Sequence, residues 1–188
     1  MEEPSQAQSH LIARRYDASD LSVPNLRDEQ STRHIVLALD SSETAEHLLQ
    51  WAIVNLHRKG DTFHIVHVAL VLAAPEEIQH SVPGMSHTVH NRPVEDAKAD
   101  AERAKVFVRE KFVAPLQAAH IAFEPHLFME NDKAPPESIA AAVDSVAKDV
   151  NATMIVIARS NKSSVQKFFV GSVAAKVTAL PWPMVVVP

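Results

Sequence analysis

The sequence contains no cysteine, and only three of its 188 residues are glycine, two tryptophan and one tyrosine. Without a thiol there is no disulfide, no thiolate metal site and no cysteine nucleophile, and a reducing cytosol is the expected setting. No apolar run reaches the ~18 residues of a membrane span, and the opening MEEPSQAQSHLIARRYDASD has no apolar stretch of the kind a secretory signal needs. A cytoplasmic protein with no membrane partner is therefore expected. Excess positive charge is missing too. A formal net charge of -5 offers no cationic field for a phosphate backbone, which argues against nucleic acid as a general partner.

What is present describes a soluble globular chain. Hydrophobic residues make up 46% and charged residues 22%, the balance of an ordinary folded domain rather than a disordered segment. Residues 1–30 are polar and show no sustained period, so they read as a flexible N-terminal tail whose removal leaves folding intact, ahead of one domain over 31–188. RHIVLALD is a buried first strand. SSETAEHLLQWAIVNLHRKG is a helix capped by Ser41 or Ser42 and terminated by Gly60. DTFHIVHVAL is a second strand, and the polar, proline-bearing segment 71–92 is a loop of a length that is usually functional. Pro93 opens a long helix that Pro115 ends or kinks. IAFEPHLFM is a third strand, placed at an edge by Pro125. APPESIAAAVDSVAKDVN, ATMIVIA, GSVAAKVTAL and PMVVVP complete an alternation of helices and strands. That alternation predicts an α/β fold with a single doubly wound parallel sheet and helices on both faces. In such sheets ligands lie beyond the C-terminal strand ends, where the strand order reverses. Asp40, Val68 to Leu70 and the residues from Ala158 onwards fall there.

Gly171 and Ser172 place backbone N–H groups and a hydroxyl at a helix start, where the helix dipole favours phosphate; a plain serine cap is the alternative. Arg159, Lys162 and Lys167 either meet phosphates or form a solvated loop face. His80, His87 and His90 have no acid or cysteine at ligand spacing, so no metal site is expected. His64 and His67 point to opposite faces of their strand and read as packing residues. No G-x-S-x-G elbow is present, so no dedicated hydrolase is expected. The terminal valine-rich strand leaves a sheet edge that suits a homodimer.

The segments LALDSSETAEHLLQWA, IVHVAL, ATMIVIARSN, FFVGSVAAKV and PWPMVVVP, in this order and spacing, resemble a universal stress protein (UspA-like) domain over roughly 31–188. The resemblance implies a five-stranded parallel sheet in the order 3-2-1-4-5, frequent dimerisation, and a division into members that bind ATP and members that do not. Binding members are similar in a motif of glycine, two residues, glycine, nine residues, glycine and serine or threonine. Its positions fall here on Ala158, Asn161, Gly171 and Ser172, with Val173 in the same turn. The resemblance also implies that Asp40 and Val68 meet the nucleoside. Two glycines of the motif are replaced. Asn161 enters the left-handed region at a cost of ~1 kcal/mol, and Ala158 costs ~1–2 kcal/mol only if its φ is positive. The expectation is a nucleotide-responsive regulator of the stress response with a degenerate ATP crevice. A homodimeric interaction module without nucleotide is the alternative. A slow ATPase is the third reading, and it has no assigned base or metal ligand.

Overall fold

Arg14–Tyr16 (β1) opens the computed structural model, which describes residues 14–23, 32–71, 94–159 and 172–188. The remaining strands are Arg33–Ala38 (β2), Asp61–Val71 (β3), Ala122–Asn131 (β4), Met154–Ala158 (β5) and Met184–Val187 (β6). They form one sheet in the order β1-β4-β3-β2-β5-β6. β2 to β6 pair in parallel and reproduce the expected 3-2-1-4-5 arrangement, whereas β1 adds a sixth, antiparallel strand along β4, with Arg14, Arg15 and Tyr16 opposite Met129, Phe128 and Leu127.

The helices Glu43–Trp51 (α1), Val94–Val108 (α2), Ala114–Ala118 (α3), Pro136–Asp149 (α4) and Ser172–Thr178 (α5) cover both faces. Strand alternation sends successive side chains into two cores. Ile35, Leu37, Phe63 and Ile65 pack with Leu48, Leu49 and Phe112 on one face. Val36, Val66 and Phe128 pack with Val143, Val146 and Val177 on the other.

Residues 14–23 correct the reading of the first thirty residues as a flexible tail. Tyr16, Leu21 and Val23 are buried and join the first core. The segment folds back through bonds from Leu21 N–H to Asp17 O and from Val23 N–H to Ala18 O, both 3.1 Å. A three-residue strand and a turn are too short to give a period, so only scattered apolar residues mark the burial. Pro125 lies in β4 opposite Ile65 and outside the three-residue pairing with β1. Its missing N–H therefore costs no ladder bond, and β4 keeps an edge character at that point.

Ser42, rather than Ser41, caps α1: its side chain accepts from Ala45 N–H at 3.3 Å. The helix closes through a π turn over Ala52–Leu56, where His57 N–H reaches Ala52 O at 2.9 Å. Gly60 then takes φ 87°, and its carbonyl accepts from Thr32 N–H at 3.0 Å. The expected break at Pro115 has a similar form. A π turn spans Arg109–Val113, and Ala114 N–H bonds to Arg109 O, so the helix register has already slipped by one residue where the proline ring arrives. Residues 72–92 of the expected long loop, with His80, His87 and His90, lie outside the described residues.

Candidate functional site

The parallel strands reverse direction of winding between β2 and β5, and a crevice of about 1070 Å³ opens at their C-terminal ends. Its floor and walls come from the turn after β2, the end of β3, the end of β5 and the first turn of α5. Of the residues expected at the site, Asp40, Val68, Ala158, Ser172 and Val173 all line it. Asn161 and Gly171 lie outside the described residues, as do Lys162 and Lys167.

Each contributor is held by its own local structure. β2 is extended by one ladder bond, Leu39 N–H to Val66 O at 2.9 Å, and Asp40 follows at the exposed turn. Asp40 Oδ1 accepts the Ser42 N–H at 3.0 Å and also the Ser42 hydroxyl, so the carboxylate shapes the turn while facing the crevice. Val68 stands half-buried near the end of β3. Ala158 ends β5 opposite Val187, and Arg159 N–H continues the ladder to Val187 O at 2.7 Å. The residues other than glycine with positive φ are Ser22, His120 and Asn151 among the described residues. Ala158 is not one of them, so its methyl group brings no backbone strain. Ser172 is the exposed first residue of α5, and Val173 turns toward the second core.

One crevice residue was read from the sequence as packing alone. His67 is buried beside Phe107 and Phe112 and bonds through Nδ1 to Leu39 O at 2.7 Å. A carbonyl only accepts, so Nδ1 carries the proton. Burial lowers the His67 pKa, against smaller opposing effects of the Leu39 carbonyl and the Asp40 charge. A neutral imidazole thus ties the end of β2, and with it the Asp40 turn, to β3. Three-residue spacing from His64 placed His67 on the opposite face but gave no hint of this bond. At the rim, Asp100 and Arg103 form an ion pair on α2, and Arg159 is exposed.

A search of curated protein sequences found no match. Among solved structures the fold is similar to that of the universal stress protein UspA from Lactobacillus plantarum. That likeness has TM-score 0.55 and 20% identity over 84% of this chain and 99% of that one. It is also similar to a universal stress protein from Archaeoglobus fulgidus, with TM-score 0.50 and 25% identity over 83% and 98% of the two chains. A third neighbour is a universal stress protein in complex with cAMP, with TM-score 0.52 and 18% identity over 83% and 97%. No helix among the described residues is long and apolar enough to cross a membrane. The sequence profile of the universal stress protein family matches residues 31–188, and the chain belongs to that family.

Proposed function

We propose that this universal stress protein is a cytoplasmic, nucleotide-responsive regulator of the stress response whose crevice takes ATP at reduced affinity. The observation that carries the reading is the convergence of Asp40, Val68, Ala158, Ser172 and Val173 on one crevice at the reversal of strand order, the position where open α/β sheets hold ligands. Ser172 brings the start of α5 to the crevice, and with it N–H groups suited to phosphate. A nucleotide complex on this fold is provided by the neighbour with cAMP. Calorimetric titration with ATP to millimolar concentration is expected to give heat that Asp40→Ala diminishes. Absence of heat, together with no nucleotide co-purifying in native mass spectrometry, overturns the reading.

The alternative, an interaction module, is favoured by one observation. β6 ends the sheet with no strand on its outer side among the described residues, and Val186 on it is 44% exposed. An uncovered valine-rich edge is a template for a second copy. Light scattering is expected to report a dimer that Val186→Lys shifts toward monomer. A monomer at every concentration rejects this reading and leaves the crevice proposal standing.

A further inference from the structure

Away from the crevice, on the α4 side of the sheet, three imidazoles form a file across β2, β3 and β4. His34 Nδ1 lies 3.0 Å from His64 Nε2, and His64 Nδ1 lies 3.2 Å from His126 Nε2. His126 Nδ1 is 3.0 Å from an Arg15 guanidinium nitrogen. His64 and His126 are 0% and 1% exposed. Glu124 Oε2 stands 3.5 Å from His64 Nδ1. One donor atom from each of His64, Glu124 and His126 lies within 4.8 Å of the other two.

We propose that His64, Glu124 and His126 form a binding site for a zinc-class divalent cation, closed in the present conformation by Arg15 of β1. Zinc bonds of ~2.0–2.1 Å in a tetrahedral set place neighbouring ligand atoms roughly 3.3 Å apart, and two imidazoles with one carboxylate are a zinc donor set. The separations of 3.2 and 3.5 Å around His64 Nδ1 match that spacing with little rearrangement.

The protons decide how the site works. A guanidinium only donates, so with Arg15 in place His126 Nδ1 accepts and its Nε2 carries the hydrogen. That hydrogen goes to His64 Nδ1, and His64 Nε2–H goes on to His34 Nδ1. His64 is therefore already in the ligating tautomer, with its lone pair at Nδ1 and its other nitrogen steadied by His34, as ligand histidines commonly are. His126 is in the wrong one. To coordinate through Nε2 it must move its proton to Nδ1, where the Arg15 donors now sit. Arg15 and the ion are thus alternative cations beside His126. The Arg15 side chain is 35% exposed, bridges to Asp149 at 2.6 Å and lies 5.8 Å from the Phe128 ring centroid, so it can withdraw by rotating toward solvent while Tyr16 keeps its place in the core.

The test is a titration of the full chain, first treated with chelator, using Co2+ alone as a spectroscopic probe and Zn2+ alone by calorimetry. One equivalent of Co2+ is expected to give the visible absorption of a tetrahedral nitrogen and oxygen site. Arg15→Ala is expected to tighten binding about tenfold or more, and Glu124→Gln and His64→Gln to weaken it about tenfold or more, on the order of 1.4 kcal/mol per tenfold. Circular dichroism and melting establish that each variant is folded, and the near-isosteric Glu124→Gln keeps the test decisive if a histidine variant is not. No Co2+ absorption at millimolar metal in either the native protein or Arg15→Ala overturns the proposal. So does binding that Glu124→Gln leaves unchanged, which would assign the metal to other histidines.

Discussion

The imidazole of His67 donates its Nδ1–H to the Leu39 carbonyl at 2.7 Å, bracing the end of β2 just before Asp40. Burial holds the His67 pKa below its ordinary value of 6.5. The unfolded chain therefore binds a proton on this ring near pH 6.5 while the folded chain does not, so stability is complete above that pH and declines as pH falls below it. The slope from this residue approaches ~1.4 kcal/mol per pH unit until the folded pKa is reached. His67→Asn keeps a donor near the Nδ1 position and cannot titrate. Denaturant melts at pH 7.5 and 5.5 are expected to show a smaller loss on acidification for His67→Asn than for the native protein; equal losses would remove His67 from the account.

Arg33 and Asp61 begin β2 and β3 opposite each other and form a two-pronged pair, with Arg33 Nε at 2.7 Å and a terminal nitrogen at 2.5 Å from the two carboxylate oxygens. Asp61 is 2% exposed and also accepts the Arg58 N–H at 2.7 Å. Removing one partner of such a pair strands the other charge, at a cost of about 3–5 kcal/mol when both are buried. Arg33 retains some exposure, so Asp61→Ala is expected to cost about 3 kcal/mol in chemical denaturation. A loss under about 1 kcal/mol, the range of exposed pairs, would show that water already screens the bridge.

The first strand and its turn make a third test, since their burial contradicts the flexible tail. Leu21 packs in the first core with Tyr16, Phe112 and Leu127. Leu21→Ala is expected to destabilise by about 2–5 kcal/mol, as buried leucines do. Deleting residues 1–23 is expected to lower the thermal midpoint at least as far. An unchanged midpoint in both would restore the tail reading.

These elements show where the sequence was legible. Long apolar runs such as those around Ile35, Ile65 and Ile155 announce buried parallel strands, because both faces of each are covered and no polar alternation interrupts them. The order of strands followed from the family resemblance, and the switch-point rule then brought Asp40, Val68 and Ala158 to one crevice. Short-range burial was hidden. Tyr16, Leu21 and Val23 are spaced by a turn rather than by a helix or strand period, so nothing separates them from a solvated tail. The histidine file was hidden for a different reason: His34, His64 and His126 come from three strands, and only strand register sets them side by side. His64 read alone is a packing residue. Proximity across a sheet is not a property of spacing along the chain.

The last prediction concerns the two lost glycines of the phosphate motif, which the sequence treats as a joint defect. The strand ladder separates them. Ala158 is held in β5 opposite Val187 and takes no positive φ, so replacing it removes no strain, and a glycine there only loosens the strand. Asn161 lies outside the described residues, and the expectation from its sequence stands: asparagine in the left-handed region costs ~1 kcal/mol that glycine avoids. Ala158→Gly alone is expected to change ATP affinity by about twofold or less, and Asn161→Gly alone to tighten it about fivefold, the equivalent of ~1 kcal/mol. Adding Ser172→Ala to Asn161→Gly should undo much of the gain, because it removes the hydroxyl at the start of α5. Glycine also loosens the unfolded chain, so affinities must be read by calorimetry on protein shown to be folded. A gain that follows Ala158→Gly instead would mean that the methyl group blocks the ligand directly. No gain from either glycine, with both variants folded, would shift the weight to the interaction-module reading.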